Sequence, residues 1–285
     1  MYPAGERGIS VRYVALDDGL SVRVLESGPA KGDAVLLVHG WGGCVYSFVE
    51  TIPALAAAGL RVIAFDLPGH GLSDKPANEA KYTTRALADV ILAVATTMGA
   101  SRFGLVGHSM GGSLGLHLAT RGESRLAKLV LINSVGLGSA PILGPMKLLS
   151  PPVVNRIVPM LLTRRTVALI LRFAFGTRER PTERDIDEYW APTQFDELVW
   201  ACRACIHRVT WSRTPATKLR SLRLPVLVIT GGRDLLVRGV ASRAKLIPTA
   251  RVVAIPEGGH LVMQECASKT NEELVLFLKG GRSKR

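Results

Sequence analysis

Short apolar runs of strand length alternate with longer segments of helical periodicity in the first half of the chain. The predicted strands cover residues 11–16, 20–26, 34–39, 61–65, 103–108 and 129–132. The predicted helices between them cover residues 46–58, 83–98 and 110–121. Strands that alternate with helices usually pair in parallel and are covered by those helices. The pattern therefore predicts an α/β protein with a mostly parallel sheet.

The alternation stops after Asn133 and resumes only at residue 226. The remaining elements, which bring the predicted strands to eight, are strands 226–230 and 251–255 and helices 237–246 and 267–279. The stretch in between is rich in Pro, Arg and helix-period apolar positions. We therefore predict a helical insertion, called the cap segment below, at residues 137–215. Residues 1–136 and 216–285 then form the α/β core.

The cap segment is expected to contain helices whose apolar faces need a partner surface. Thr182 with Asp185, and Thr193 with Asp196, have the spacing of helix N-termini. Packing explains most apolar positions, but we expect a few of them to line a substrate pocket. The candidates are Leu161, Leu162, Phe173, Phe175, Trp190, Trp200 and Trp211.

The composition, with 47% hydrophobic and 6% aromatic residues in a chain of 285, is that of an ordinary globular protein. The first thirty residues contain no apolar stretch of signal-peptide length. Glycines and prolines interrupt the longest uncharged span, residues 129–146. We therefore expect a soluble, cytoplasmic protein without an integral membrane segment. The Cys202 and Cys205 spacing is explained more simply by one helix face than by a metal or redox site.

The formal charge of +13 is concentrated in two places, with +6 in residues 151–223 and +4 from Lys279 to the end. No nucleic-acid-binding motif with interleaved aromatic residues accompanies it, so nucleic acid is not an expected partner. The excess instead predicts solubility, with weak attraction to anionic surfaces.

The most informative stretch is Gly-His-Ser-Met-Gly at residues 107–111, which follows a predicted strand and opens a predicted helix. Small residues there allow a sharp turn and close packing of the helix on its strand. That turn would leave the hydroxyl of Ser109 at its tip. Ser109 is therefore the candidate nucleophile.

A serine nucleophile needs a base to take its proton and an acid to orient that base. His260 lies in a glycine-rich loop after the last predicted strand and is the candidate base. Asp234 follows the 226–230 strand, at the same sheet edge as Ser109, and is the candidate acid. Glu257 shares the histidine loop and remains a less favourable alternative acid.

The third requirement is a pair of backbone donors for the oxygen that becomes negative in the transition state. A glycine-rich loop follows the 34–39 strand, so the backbone N–H groups of Trp41 and Met110 are the candidate oxyanion hole. The loop from Asp66 to Ser73 also contains a carboxylate and a histidine, His70. We expect these two groups to brace a tight loop and not to take part in chemistry.

Together these motifs resemble the α/β-hydrolase superfamily, in which serine, acid and histidine follow in this order along the chain. The resemblance covers residues 34–136 and 224–279. It implies an eight-stranded, mostly parallel sheet flanked by helices, with a helical cap over the active site. It also implies a cofactor-independent serine hydrolase without a metal, acting on a small-molecule carboxylic ester with an apolar acyl group. A serine at position 109 excludes the related dehalogenases and epoxide hydrolases, which attack with an aspartate.

Three alternatives stay open on the sequence alone. Related proteins hydrolyse a carbon–carbon bond in a vinylogous diketone, and Arg164, Arg165 or Arg172 could bind the carboxylates of such a substrate. Acyl transfer is a second possibility. A third is a ligand-binding protein that keeps the hydrolase shape, or a lid that docks on membranes through residues 153–175.

Overall fold

The computed structural model describes residues 1–151, 153, 158, 160–177 and 179–280. Its eight strands are β1 (Ile9–Ala15), β2 (Ser21–Ser27), β3 (Ala34–Val38), β4 (Arg61–Phe65), β5 (Phe103–His108), β6 (Leu126–Ile132), β7 (Val226–Gly231) and β8 (Ala250–Ile255). They form one sheet in the order β1-β2-β4-β3-β5-β6-β7-β8. Strand β2 is antiparallel to β1 and β4, and every pairing from β4 to β8 is parallel. The predicted mostly parallel, eight-stranded sheet is confirmed.

The central strands are apolar at successive positions because both faces of the sheet are covered. In β3, Leu36 and Val38 belong to the core on one face, whereas Val35 and Leu37 belong to the core on the other. Continuous apolar runs are typical of parallel strands buried in this way. Because the strands are parallel, the residues that follow β3, β5, β6 and β7 meet at one carboxyl edge of the sheet.

Eleven helices can be labelled among the described residues. Those of the core are α1 (Thr51–Ala57), α2 (Thr84–Thr97), α3 (Met110–Thr120), α8 (Ala216–Arg220), α9 (Val240–Ala244), α10 (Val262–Glu265) and α11 (Ala267–Leu278). Those between β6 and β7, within the cap segment, are α4 (Leu143–Leu148), α5 (Arg164–Ala174), α6 (Glu183–Trp190) and α7 (Asp196–Arg208). Short 3-10 turns lie at Val45–Phe48, Glu79–Tyr82 and Ala191–Gln194.

Two predicted core helices are shorter than expected. The helix predicted over 46–58 is divided into a 3-10 turn and α1, with Pro53 in the first turn of α1. A proline fits there because the first backbone N–H groups of a helix have no partner inside it. The helix predicted over 237–246 begins only at Val240, because Gly239 has a left-handed backbone with φ of 77°.

In the cap segment, the predicted N-terminus at Thr182 is confirmed by a capping box with Asp185. The one at Thr193 is wrong: α7 begins after Phe195 without a side-chain cap, and the Thr193 hydroxyl donates to the carbonyl of Trp190. The prediction of Cys202 and Cys205 on one helix is confirmed by α7. The domain boundaries at 137 and 215 stay a prediction.

Among the residues that the structure describes, no helix has the length and apolarity needed to cross a bilayer. Part of the basic tail, residues 281–285, lies outside the described residues. So do residues 154–157 and 159 of the stretch considered for membrane docking.

Candidate active site

Ser109 occupies a strained turn between β5 and α3. Its φ of 52° and ψ of −112° lie where L-residues are rarely found, which is typical of functional sites. The turn requires glycine at positions 107 and 111, because a Cβ at either position would collide with backbone atoms. At Gly111 the Cβ would lie 2.2 Å from the carbonyl oxygen of Val38. The backbone N–H of Ser109 donates to the carbonyl of Ile132 at 2.9 Å, which joins the turn to the end of β6.

His260 and Asp234 are in direct contact. Nδ1 of His260 lies 2.9 Å from Oδ2 of Asp234, and the Asp234 side chain is only 2% exposed. The other carboxylate oxygen accepts the backbone N–H groups of Leu236 and Val237, at 2.8 and 3.0 Å. A carboxylate held in this way requires a proton on Nδ1 and leaves Nε2 of His260 as an acceptor. Glu257, the alternative acid, is exposed.

Ser109 and His260 line the same cavity. No hydrogen bond joins the Ser109 hydroxyl to His260 in the part of the chain that the structure describes. Such bonds often tighten only when substrate is bound, so their length without substrate does not decide the roles of the two groups.

The glycine-rich loop after β3 passes very close to Ser109. A Cβ on Gly40 would lie 2.9 Å from the Cβ of Ser109, so only glycine lets the loop approach. The next residue is Trp41, whose indole N–H donates to the carbonyl of Cys202 on α7 at 2.9 Å and whose ring lines the cavity. The backbone N–H of Met110 is the first of α3 and therefore has no partner within the helix.

Asn133 is a functional candidate that the sequence analysis did not select. It directly follows β6, is fully buried and has a φ of 43°. Its side-chain N–H₂ donates to the carbonyls of Gly259 and His260, at 2.9 and 3.0 Å, and its oxygen accepts the backbone N–H of Gly231 at 2.9 Å. One buried amide thus ties the end of β7 to the histidine loop.

His108 supports the same loop from another side. Its Nε2 lies 2.9 Å from the carbonyl oxygen of His260, and the two imidazole rings are 4.6 Å apart. Burial, with a smaller contribution from His260, lowers the pKa of His108 well below its ordinary value, so the ring is neutral. Because a carbonyl only accepts, Nε2 carries the proton.

Glu265 is a second residue that the sequence analysis missed. Its carboxylate accepts the backbone N–H groups of Gly176 at 2.6 Å, Thr177 at 3.0 Å and Gly259 at 3.0 Å. It therefore joins the chain after α5 to the histidine loop. Burial raises the pKa of this carboxyl, and the backbone donors act in the opposite direction. No motif identifies this role, because Gly176 and Thr177, two of its three partners, are backbone groups almost ninety positions away.

The loop from Asp66 to Ser73 has the bracing role predicted for it. Asp66 is fully buried and accepts the backbone N–H groups of Val45 and Leu72, at 2.7 and 2.9 Å, beside Arg23 at 3.3 Å. His70 is also buried, and desolvation lowers its pKa to about 3.

The cavity above Ser109 has a volume of about 560 Å³. Two of the predicted lining residues, Phe173 and Trp211, contribute to it. The other candidates, Leu161, Leu162, Phe175, Trp190 and Trp200, are not among its lining residues. The cap segment instead contributes mainly Ile142, Leu143, Met146, Leu169, Ile170, Leu171, Ala174 and Tyr189. The wall is therefore apolar apart from Ser109, His260, the neutral imidazole of His108 and a few hydroxyls.

Comparison with known proteins agrees with this architecture. Residues 33–161 match the model of the alpha/beta hydrolase fold family. The chain is 32% identical over 273 residues to the dihydrolipoyllysine-residue acetyltransferase component of an acetoin cleaving system from Pseudomonas putida. That alignment covers 92% of this chain and 67% of the relative.

Solved structures show the same fold over almost the whole chain. A putative aryl esterase from Burkholderia cenocepacia superposes with a TM-score of 0.77 at 26% identity, covering 95% of this chain and 98% of that one. A membrane phospholipase A described as a bacterial virulence factor gives a TM-score of 0.78 at 25% identity, covering 96% and 86%. With its sheet topology, its strained serine turn and these relatives, the chain belongs to the alpha/beta hydrolase family.

Proposed function

We propose that the protein is a serine hydrolase that cleaves carboxylic esters with an apolar acyl group. The observation that carries the proposal is the meeting of three features at one apolar cavity. These are a serine on a strained turn, a histidine paired at 2.9 Å with a buried carboxylate, and a glycine-rich loop against the serine.

In the proposed mechanism, Ser109 attacks the ester carbonyl while Nε2 of His260 takes the hydroxyl proton. Asp234 holds the imidazole in the tautomer that can accept this proton and stabilises the imidazolium that forms. The backbone N–H groups of Trp41 and Met110 donate to the oxyanion. His260 then protonates the leaving alcohol, and a water molecule that it activates cleaves the acyl-enzyme. None of these steps requires a cofactor.

The lining of the cavity supports an apolar acyl group. No lysine, arginine, aspartate or glutamate is among its described lining residues. A substrate carboxylate would be buried there without a partner, which is costly. Arg164, one of the cations considered for such a substrate, is bound to Glu183 and Asp187 at 2.6 and 2.7 Å. These contacts favour an uncharged acyl chain over the dicarboxylic carbon–carbon substrate.

Two relatives add support for ester hydrolysis, since the structural neighbours named above are a putative aryl esterase and a phospholipase. A second candidate is acyl transfer, favoured by the similarity to an acetyltransferase component over 92% of this chain. Both reactions share an acyl-enzyme and differ only in whether water or a thiol receives the acyl group.

A panel of p-nitrophenyl esters from acetate to dodecanoate tests the proposal. We expect hydrolysis with a preference for chains longer than acetate, and a loss of about six orders of magnitude in Ser109→Ala. Ser113→Ala, which removes another buried serine hydroxyl one helical turn away, should keep the activity. Turnover that survives in Ser109→Ala would exclude the proposed nucleophile.

Adding a dihydrolipoamide acceptor separates the two candidates. Thioester formation that outpaces hydrolysis would favour acyl transfer. Folded wild-type protein that neither turns over esters nor reacts with a fluorophosphonate would favour a binding protein.

A further inference from the structure

Helix α5 presents an apolar face to solvent. Its inner face is buried through Val167 and Leu171. On the outer face, Leu169, Ile170 and Phe173 are 63%, 55% and 50% exposed. Three large apolar side chains that are at least half exposed on an 11-residue helix form an apolar patch that the described part of the chain leaves largely uncovered.

This outer face is continuous with the mouth of the cavity. Leu169, Ile170 and Phe173 are themselves lining residues of the cavity above Ser109. Ile142, which directly precedes α4, also lines the cavity and is 44% exposed, and α4 ends in the exposed side chain of Leu148. The entrance is therefore bordered by apolar side chains on two helices.

The charged side chains of α5 itself are all arginines. At about 100° per residue, Arg165 and Arg172 lie together on one edge of the apolar stripe formed by Leu169, Phe173 and Ile170. Both arginines are exposed, and neither forms an ion pair with another described residue. Helix α5 contains no acidic residue. An apolar stripe edged by free guanidinium groups is the pattern of helices that lie in the interface of an anionic membrane.

We propose that the outer face of α5, together with the α4 side of the cavity mouth, is a docking surface for an anionic lipid bilayer. Leu169, Ile170 and Phe173 enter the headgroup region, and Arg165 and Arg172 bind lipid phosphates. A second copy of the chain fits this face less well, because a symmetric pairing would bring like-charged arginines together. Docking goes beyond the proposed ester hydrolysis and does not require it. If both hold, an acyl chain passes from the bilayer into the cavity without crossing water.

The test is co-sedimentation of the Ser109→Ala protein with two kinds of vesicle, so that binding is measured apart from hydrolysis. We expect binding to phosphatidylcholine vesicles that contain 30% phosphatidylglycerol, a decrease in that binding with added salt, and little binding to pure phosphatidylcholine. Arg165→Gln with Arg172→Gln should weaken binding about 30-fold. Leu169→Ser with Phe173→Ser should weaken it at least tenfold.

Matched controls use residues of the same type on other surfaces. Lys218→Gln with Arg220→Gln removes two exposed cations from α8, and Val11→Ser with Tyr13→Ser removes two exposed apolar side chains from β1. Both controls should bind like the parent protein. Since every substituted side chain is exposed, unchanged thermal unfolding is expected in all variants. Equal losses in the controls, no binding to anionic vesicles, or self-association abolished by the α5 changes would each overturn the proposal.

Discussion

The carboxyl edge of the sheet and the cap segment differ in how their side chains are held. At the sheet edge, the side chains of Asp234, His260 and Asn133 are buried. Their hydrogen bonds to one another and to the backbone are 2.8 to 3.0 Å long. In the cap segment, large side chains such as Leu169 and Phe173 are at least half exposed. The segment is nevertheless bonded to the core through buried groups, for example Asp185 to Tyr46 and Tyr189 to Gln264. From this difference we propose that the sheet edge fixes the chemistry, whereas the cap segment selects which substrates reach it.

The largest effect after loss of the nucleophile is expected at Asp234. Asp234→Asn keeps the shape of the side chain but lets His260 adopt the wrong tautomer, so kcat should fall about 10⁴-fold. Glu257→Gln is the control, because Glu257 is exposed on the same loop as the histidine. Steady-state hydrolysis of one ester measures both. A larger loss in Glu257→Gln would transfer the acid role to that residue.

A substitution of Asn133 tests whether catalysis depends on how this buried amide positions the histidine loop. Asn133→Asp keeps the size and the acceptor for Gly231 but removes both donors to the histidine loop. We expect kcat to fall about 10- to 100-fold, since buried carbonyls lose their partners. KM should change little, and the pH at which kcat/KM is half-maximal should shift.

Ser134→Ala is the matched control for Asn133, because its buried hydroxyl donates to the carbonyl of Val135 and not to the histidine loop. Equal effects of the two substitutions on kcat and on the pH profile would assign Asn133 a merely structural role.

A substitution in the cap segment should change the preference for acyl chain length and leave the chemical step unchanged. Ala140 lines the cavity and is only partly buried. Ala140→Phe should shorten the space for the acyl chain and lower the ratio of octanoate to acetate hydrolysis about tenfold. The acetate rate in the same variant is the internal control. If the acetate and octanoate rates fell equally, the cap segment would affect the chemical step and not only the choice of acyl chain.

The smallest effect concerns stability in acid. His39 is fully buried, with Nδ1 facing the carbonyl of Gly40 and Nε2 accepting the N–H of Leu67. Burial lowers the pKa of His39 to about 4. The unfolded chain takes up this proton below its ordinary value of about 6.5, so folding stability is lost as pH falls from about 6.5 to 4, by at most about 3 kcal/mol.

Urea unfolding between pH 4 and 7 measures this loss. His39→Gln should lower the pH slope of the unfolding free energy by about one proton. His207→Gln on α7 is the control. An unchanged slope in His39→Gln would show that this imidazole does not carry the acid sensitivity.

The sequence predicted the sheet because periodicity and burial coincide there. Strands such as β5 are buried at every position and are bounded by turns that glycine makes possible. The helix ends were less predictable, since the start of α9 depends on the backbone of Gly239 and that of α7 lacks the side-chain cap expected from Thr193.

The cavity wall was predicted only in part because a helix face does not reveal what it contacts. Phe173 and Trp211 line the cavity, but so do Leu169 and Tyr189, which have no distinctive motif. In the sequence, Asn133 marks only the point at which the alternation of strands and helices stops. Its role depends on two carbonyls that lie more than a hundred positions away in sequence.

The most direct test of the account is the identity of the residue that carries the acyl group. Wild-type protein mixed with a p-nitrophenyl ester and quenched in acid within the first turnover should be mapped by peptide mass spectrometry. We predict one acyl adduct, on Ser109, that forms within the first turnover of the wild-type protein and is absent from Ser109→Ala. Continued turnover with no adduct, or with the adduct on another residue, would contradict this prediction.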